Sequence, residues 1–141
     1  MQIAQLTSRR SNCMKRRVGC VLVTRHANKL ISAGYNGTPR GITNCNQGGC
    51  RRCNLGAGCG TDLDACICLH AEENALLEAG RDRVAGQPTI LYCTTCPCLG
   101  CAKKIAQLGV SEVVYELAYG MDAMTETLFR AAHIQLRQMP G

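Results

Sequence analysis

The chain has 141 residues, of which 46% are hydrophobic, 18% are charged and 12 are cysteines, and its formal net charge is +6. This length fits one domain, and the balance of apolar and charged residues excludes a disordered or fibrous protein. No apolar run approaches the roughly 20 residues of a membrane-spanning helix, and the N-terminus lacks a secretory pattern. We expect one domain over residues 1–141, without membrane contact, in the cytoplasm or also in the nucleus.

The first part of the chain predicts a helix followed by a β-hairpin. Helical spacing extends from Ile3 to Asn12, with Arg9 and Arg10 in the last turn, where the helix dipole favours cations. The apolar segments 18–24 and 29–34 predict two strands joined at Ala27-Asn28.

The segment 35–61 is rich in Gly, Asn and Cys, and it predicts no regular structure. A loop of this length in a compact domain is normally functional or held in place by something. Helices are then predicted at 69–79, 98–108 and 121–132, and they alternate with strands at 89–94, 111–115 and 134–137. This alternation predicts an α/β fold, a mixed sheet covered by helices.

The cysteines favour metal binding over disulfides, because thiols stay reduced in a chain without a secretory signal. Some are expected to be small buried core residues, Cys20 among them. The positive charge suits polyanions, phosphate esters or nucleic acid, although the thiolates of zinc sites would reduce it.

Two short motifs indicate a metal site with a proton-transferring group beside it. His70-Ala71-Glu72 opens one predicted helix, and Cys98 and Cys101 open another. Three protein ligands leave the fourth position of a tetrahedral zinc open, which is typical of catalytic zinc. Glu72 lies two residues beyond His70, points elsewhere and is free to move protons. This signature is found in zinc-dependent nucleobase deaminases. The alternative is a closed structural zinc, with a fourth ligand from Cys68, Cys93 or Cys96.

Three segments together carry a closer resemblance: His70-Ala71-Glu72-Glu73-Asn74, Pro97-Cys98-Leu99-Gly100-Cys101-Ala102 and Gly34-Tyr35-Asn36-Gly37-Thr38-Pro39. They resemble the deoxycytidylate deaminase family from about Ala4 to Arg137. The resemblance implies a cytidine deaminase-like three-layer α/β/α fold with a central mixed sheet of about five strands. It also implies zinc-dependent hydrolysis of dCMP to dUMP and ammonia in pyrimidine deoxynucleotide biosynthesis. Some members carry an extra N-terminal domain, so the chain could be a domain excised from a longer protein.

The same resemblance assigns roles to individual residues. The ligands of the catalytic Zn²⁺ would be His70, Cys98 and Cys101, and the acid and base would be Glu72. The substrate contacts would be Asn36, Ala71 and Tyr119. Asn36 also suits a tight turn without any such role. The substrate phosphate has four candidate partners, among which the sequence does not choose: Lys15, Arg16, Arg17 and Arg40.

Some family members bind a second, closed zinc. Here four of five cysteines are expected to bind it: Cys13, Cys45, Cys50, Cys53 and Cys66. No role is predicted for Cys59, Cys68, Cys93 or Cys96. The resemblance further implies a homohexamer that is activated by dCTP and inhibited by dTTP, with Mg²⁺ on the nucleotide. The residues of that allosteric site would be Gly34, Tyr35, Asn36 and Gly37.

Two other function classes remain open from the sequence. A polynucleotide deaminase acting on single-stranded DNA or tRNA would share the zinc site, but it needs stacking aromatics and basic tracks. Aromatic residues make up only 4% of this chain, which argues against nucleic acid. A non-catalytic zinc-stabilised binding module is the second alternative, and Glu72 beside an open metal site argues against it.

Overall fold

The computed structural model describes residues 1–56, 58, 60–118, 120 and 122–140. The helices in this part of the chain are Gln2–Ser8 (α1), Arg51–Asn54 (α2), Ala71–Ala79 (α3), Leu99–Leu108 (α4) and Asp122–Ala131 (α5). The strands are Gly19–Thr24 (β1), Leu30–Tyr35 (β2), Thr89–Thr95 (β3), Glu112–Leu117 (β4) and Gln135–Gln138 (β5). Short 3-10 turns lie at Cys45–Gln47 and Leu63–Ala65. Within the described residues, no helix has the length and hydropathy needed to cross a bilayer.

The strands form one mixed sheet in the order β2-β1-β3-β4-β5. β1 pairs antiparallel with both β2 and β3, whereas β3, β4 and β5 run parallel. A parallel pair requires a crossover connection, and α4 and α5 provide the two crossovers here. The predicted mixed sheet is therefore confirmed.

Helices cover both faces of the sheet. On one face, α3, α4 and α5 pack on Leu22, Leu91 and Val113, and the buried Phe129 of α5 belongs to this core. On the other face, Met1 at the start of α1 packs on a second apolar cluster, whose buried residues are Val23, Ile90 and Val114. The result is the three-layer α/β/α arrangement.

Two glycines allow the hairpin and its helices to approach closely. A Cβ at Gly34 of β2 would lie 2.2 Å from the Ala71 carbonyl oxygen of α3. A Cβ at Gly19 of β1 would lie 2.0 Å from the Ala4 carbonyl oxygen of α1. Both distances are far below van der Waals contact, so these helices sit directly on the backbone of the strands.

The structure corrects two predictions of secondary structure. The first helix ends at Ser8 and not at Asn12, so Arg9 and Arg10 lie beyond it. The segment 35–61 is not free of regular structure, because it contains one 3-10 turn and the one-turn helix α2. The other predicted boundaries agree with the observed ones within two residues.

Candidate metal centre and active site

The beginnings of two helices meet beside the sheet. His70 is the N-cap of α3, and Cys98 is the N-cap of α4, which places Cys101 in the first turn of α4. Thr125 of α5 donates a 2.9 Å hydrogen bond to the carbonyl oxygen of Pro97, which holds the entry to α4. Lys104 forms a 3.1 Å ion pair with Glu73, which joins the first turn of α3 to α4.

The three predicted zinc ligands converge. His70 Nδ1 lies 3.5 Å from Cys98 Sγ and 3.3 Å from Cys101 Sγ. Tetrahedral zinc, with bonds of about 2.0 Å to nitrogen and about 2.3 Å to sulfur, separates two such ligand atoms by about 3.5 Å. The side chains therefore fit the ion. His70 is exposed and Cys101 is buried, so a bound ion would have one side toward solvent. Among the described residues, no fourth ligand joins this group.

Hydrogen bonds link the protonation of these three side chains. Hydrogen bonds from Cys101 and His70 lower the pKa of Cys98 to about 3, so its sulfur is a thiolate at neutral pH. The same bond to Cys98 raises the pKa of His70 to about 9. Thiolates at helix N-termini are also stabilised by the helix dipole.

Glu72 lies on the buried side of this group. Its side chain is only 4% exposed, and burial raises the pKa of its carboxyl group above the ordinary value. Cys93 of β3 hydrogen-bonds to this carboxyl group, which partly offsets the effect of burial. A buried carboxyl group with a raised pKa is suited to proton transfer in catalysis. Sequence reasoning missed Cys93, because a single strand cysteine carries no recognisable motif.

The turn after β2 is attached to the start of α3. Gly37 and Leu69 exchange two backbone hydrogen bonds of 3.1 and 2.8 Å, and Asn74 Nδ2 donates to the Tyr35 carbonyl oxygen. The segment Gly34–Gly37 therefore lies beside His70. The guanidinium carbon of Arg10 lies over the Tyr35 ring, 5.6 Å from the ring centroid.

The side chain of Asn36 forms two hydrogen bonds with backbone groups. Its Oδ1 accepts from Val18 N at 2.8 Å, and its Nδ2 donates to the Arg16 carbonyl oxygen at 2.7 Å. The residue is 9% exposed. A carboxamide has two acceptor sites and two donor hydrogens, so one of each remains for a ligand.

The other predicted substrate contacts are only partly described. Ala71 is the first residue of α3 and is buried, and a first-turn N–H has no partner within its own helix. Tyr119 lies outside the described residues. Of the phosphate candidates, Arg16, Arg17 and Arg40 are exposed.

The structure brings all five cysteines predicted for the second zinc together, but it adds Cys68. Two sets of four sulfurs are close enough to share an ion: Cys13, Cys45, Cys53 and Cys68, and also Cys50, Cys53, Cys66 and Cys68. Both sets include Cys68, to which the sequence analysis assigned no role. We call these six residues the six-cysteine cluster. Cys66-x-Cys68 is not the usual chelating spacing, and only the fold could identify Cys68 as a member.

A three-layer α/β/α domain with a group of one His and two Cys beside a buried glutamate is typical of zinc-dependent deaminases. The family model of the cytidine and deoxycytidylate deaminase zinc-binding region matches residues 1–117. The chain belongs to this family, as the resemblance predicted.

Individual relatives agree with the family. The chain is 64% identical over 138 residues to a deoxycytidylate deaminase of Schizosaccharomyces pombe and 58% identical over 138 residues to one of Saccharomyces cerevisiae. Each alignment covers 98% of this chain but only 42% and 43% of those relatives, so the chain spans less than half of their length. A crystal structure of the dCMP deaminase of cyanophage S-TIM5 with dCMP and dUMP superposes with a TM-score of 0.73 at 30% identity. That match covers 98% of this chain and 92% of the phage protein.

Proposed function

We propose that this chain deaminates dCMP hydrolytically to dUMP and ammonia. The observation that carries the proposal is the convergence of His70, Cys98 and Cys101 at ligand distance, with the buried carboxyl group of Glu72 beside them. Two deoxycytidylate deaminases at 64% and 58% identity support the choice of substrate. The dCMP and dUMP bound to the phage enzyme of similar fold support it further.

The proposed reaction divides the work between the metal and one carboxyl group. When bound by His70, Cys98 and Cys101, zinc supplies Lewis-acid chemistry that makes water a nucleophile at neutral pH. Glu72 takes a proton from the attacking water and delivers it to ring N3 of the pyrimidine. It then moves a second proton to the amino group that leaves from C4 as ammonia.

Substrate contacts are proposed for three further residues. The free donor and acceptor of Asn36 would hold the sugar, and the backbone N–H of Ala71 would meet the base edge. Tyr119 is proposed as an aromatic contact to the nucleotide. Asn36 is supported by its place in the turn attached to Leu69, next to the metal ligand His70.

The proposal also includes a structural metal at the six-cysteine cluster and regulation by nucleotides. Regulation would use dCTP as activator and dTTP as inhibitor, with Mg²⁺ on the nucleotide, at Gly34, Tyr35, Asn36 and Gly37. A homohexamer is proposed with it. Exposed apolar side chains on α1 are compatible with subunit contacts, since Ile3 is 53% and Leu6 is 65% exposed.

The first experiment measures ammonia release from dCMP, deoxycytidine and a cytosine-containing DNA oligonucleotide in parallel. We expect release from dCMP, little from deoxycytidine and none from the oligonucleotide. In Glu72→Gln the rate should fall by at least about 100-fold while the zinc content stays unchanged, because the variant loses the proton acceptor but no metal ligand.

Glu78→Gln on the exposed side of the same helix is the matched control and should keep the wild-type rate. Full turnover by Glu72→Gln with zinc bound would refute the role of Glu72. Release from the oligonucleotide alone would replace the nucleotide proposal by nucleic-acid editing. If none of the three substrates releases ammonia, also after addition of dCTP, a non-catalytic binding module would be favoured.

A further inference from the structure

The six-cysteine cluster gathers residues from three segments of the chain. Cys13 precedes β1, and Cys45, Cys50 and Cys53 belong to the turns after β2. Cys66 and Cys68 precede α3. Four members are buried, and the other two, Cys13 and Cys66, pack against them without any other apolar side chain among the described residues of the group. Apolar packing alone does not explain why six thiols are gathered here, whereas shared metal binding would.

The sulfur atoms have the spacing of metal ligands. Cys66 Sγ lies 3.8 Å from Cys50 Sγ and 3.9 Å from Cys53 Sγ. With zinc–sulfur bonds of about 2.3 Å, the edge of a tetrahedral four-thiolate site measures about 3.8 Å. Within each set of four, all sulfurs lie within 4.8 Å of one another. Each set can therefore hold a tetrahedral ion.

The two sets share one edge. Cys53 and Cys68 occur in both, whereas Cys13 and Cys45 belong only to the first set and Cys50 and Cys66 only to the second. A single ion would occupy one set and leave two thiols of the other set without a metal. Two ions use all six sulfurs if the shared pair bridges them.

We propose that the six-cysteine cluster binds two zinc ions, with Cys53 and Cys68 as bridging thiolates and the other four cysteines as terminal ligands. The inference extends the structural metal proposed above by a second ion and by the bridging pair. It is separate from the deamination site, which has its own three ligands.

The surroundings of the cluster match an anionic metal–thiolate centre. Six thiolates with two divalent ions carry a net charge of two minus. Arg52 is 8% exposed, and its Nη1 lies 3.8 Å from Cys53 Sγ. Its other nitrogens donate to the carbonyl oxygens of Thr61 and Gly58, and among the described residues no carboxylate pairs with it. A buried guanidinium requires an anion nearby, and a dianionic cluster provides one. The backbone N–H of Met14 donates to Cys45 Sγ at 3.5 Å.

Metal content tests the stoichiometry. The full chain, purified without chelator and measured by plasma mass spectrometry, should contain three zinc ions: one at His70, Cys98 and Cys101 and two in the cluster. His70→Ala should retain two, and the core control Cys20→Ala should retain three. Two ions in the wild type and one in His70→Ala would mean a single structural zinc and would overturn the proposal. One ion in the wild type would remove the structural metal altogether, whatever the ammonia assay shows.

Bridging requires a separate measurement on the wild-type chain. After replacement of zinc by the NMR-active isotope of cadmium, two of the metal signals should split each other by scalar coupling through the shared sulfurs. X-ray absorption at the zinc edge should show a metal–metal distance of about 3 Å, the separation of two tetrahedra that share an edge. Uncoupled cadmium signals without that distance would overturn the bridging arrangement.

Substitutions provide an independent comparison. Loss of a shared ligand in Cys53→Ser should lower the zinc content by two ions per chain, whereas Cys13→Ser should lower it by no more than one. Equal losses from both variants, with both chains folded, would contradict the assignment of Cys53 as a bridge.

Discussion

Arg52 shows how one side chain acquires its role from its surroundings. It follows Arg51 directly in the sequence, but Arg51 is exposed and Arg52 is buried. Two hydrogen bonds to the Thr61 carbonyl oxygen, 2.9 and 2.7 Å long, fix its guanidinium beside Cys53. The positive charge of Arg52 would therefore stabilise the thiolates of the metal centre proposed at the six-cysteine cluster.

Replacing Arg52 by methionine keeps a flexible side chain but removes this charge and its hydrogen bonds. Because groups that contact metal ligands tune metal affinity, we expect Arg52→Met to weaken zinc binding at the cluster by about 10- to 100-fold. Competition with a chromophoric chelator measures the change. Arg51→Met is the matched control and should bind zinc as the wild type does. An equal loss of affinity in both variants would contradict this role.

Glu72 and Asn36 show how differently single residues can be predicted. Glu72 follows from its two-residue offset from His70 at a helix start, which is a local relationship. The hydrogen-bond partners of Asn36 are backbone groups of Arg16 and Val18, about twenty positions away. No pattern in the sequence predicts these contacts. The substrate role of Asn36 stays a prediction.

At the scale of elements, the position of α3 depends on Gly34. This glycine lets the first turns of α3 contact the backbone of β2, and Ser32 Oγ donates to the Ala75 carbonyl oxygen on the same interface. Since His70 and Glu72 stand at the start of α3, this contact also positions the proposed active site.

Gly34→Ala would place a methyl group 2.2 Å from the Ala71 carbonyl oxygen and 2.5 Å from Ala75 N. Backbone atoms cannot yield as a side chain would, so we expect a loss of unfolding free energy of about 3 kcal/mol, at the upper end for overpacking. Urea unfolding followed by circular dichroism measures it. Gly37→Ala, where nothing lies within 4 Å of the added carbon, should change stability by less than about 0.5 kcal/mol. A similar loss in both variants would refute the steric explanation.

The ends of the elements respond to long-range contacts. Beyond Ser8 the chain follows tighter hydrogen bonds, such as Ser11 N to the Ser8 carbonyl oxygen. This turn buries Ser11, whose hydroxyl donates to the Asn36 carbonyl oxygen at 2.8 Å. α2 exists because one helical turn lets Cys50 and Cys53 reach the same cluster, and Asn54 Nδ2 binds the carbonyl oxygens of Cys45 and Cys50.

At the scale of the whole molecule, two parts of the chain are stabilised in different ways. The sheet and its helices bury a continuous apolar core. The described residues of the segment between β2 and α3 include few buried apolar side chains apart from cysteines. We therefore expect its order to depend on metal bound at the six-cysteine cluster, and the segment to be the first part to open when metal is removed.

Treatment with a strong chelator should make this segment sensitive to trypsin. We expect cleavage after Arg51 and Arg52 to accelerate by at least about tenfold, because removal of the metal breaks the bonds that hold the cysteines together and releases the segment. Cleavage at Arg25 and Lys29 in the β1–β2 turn is the internal reference and should keep its rate. Mass spectrometry of the fragments over time measures both rates, and added zinc should reverse the change. Accelerated cleavage at all four positions would indicate global unfolding instead.

The sequence by itself determined the type of the strands and of the helices between them, and their succession along the chain. It also determined the three ligands of the proposed catalytic zinc and the adjacent glutamate. These features depend on local periodicity, on helix starts and on short motifs, which neighbouring residues specify. Only the tertiary structure decided where α1 ends, what Asn36 binds, why Arg52 is buried and that Cys68 belongs with Cys53 in both sets of sulfurs. Each of these depends on contacts between residues that are distant in the chain, and such contacts exist only after the sheet and its helices have packed.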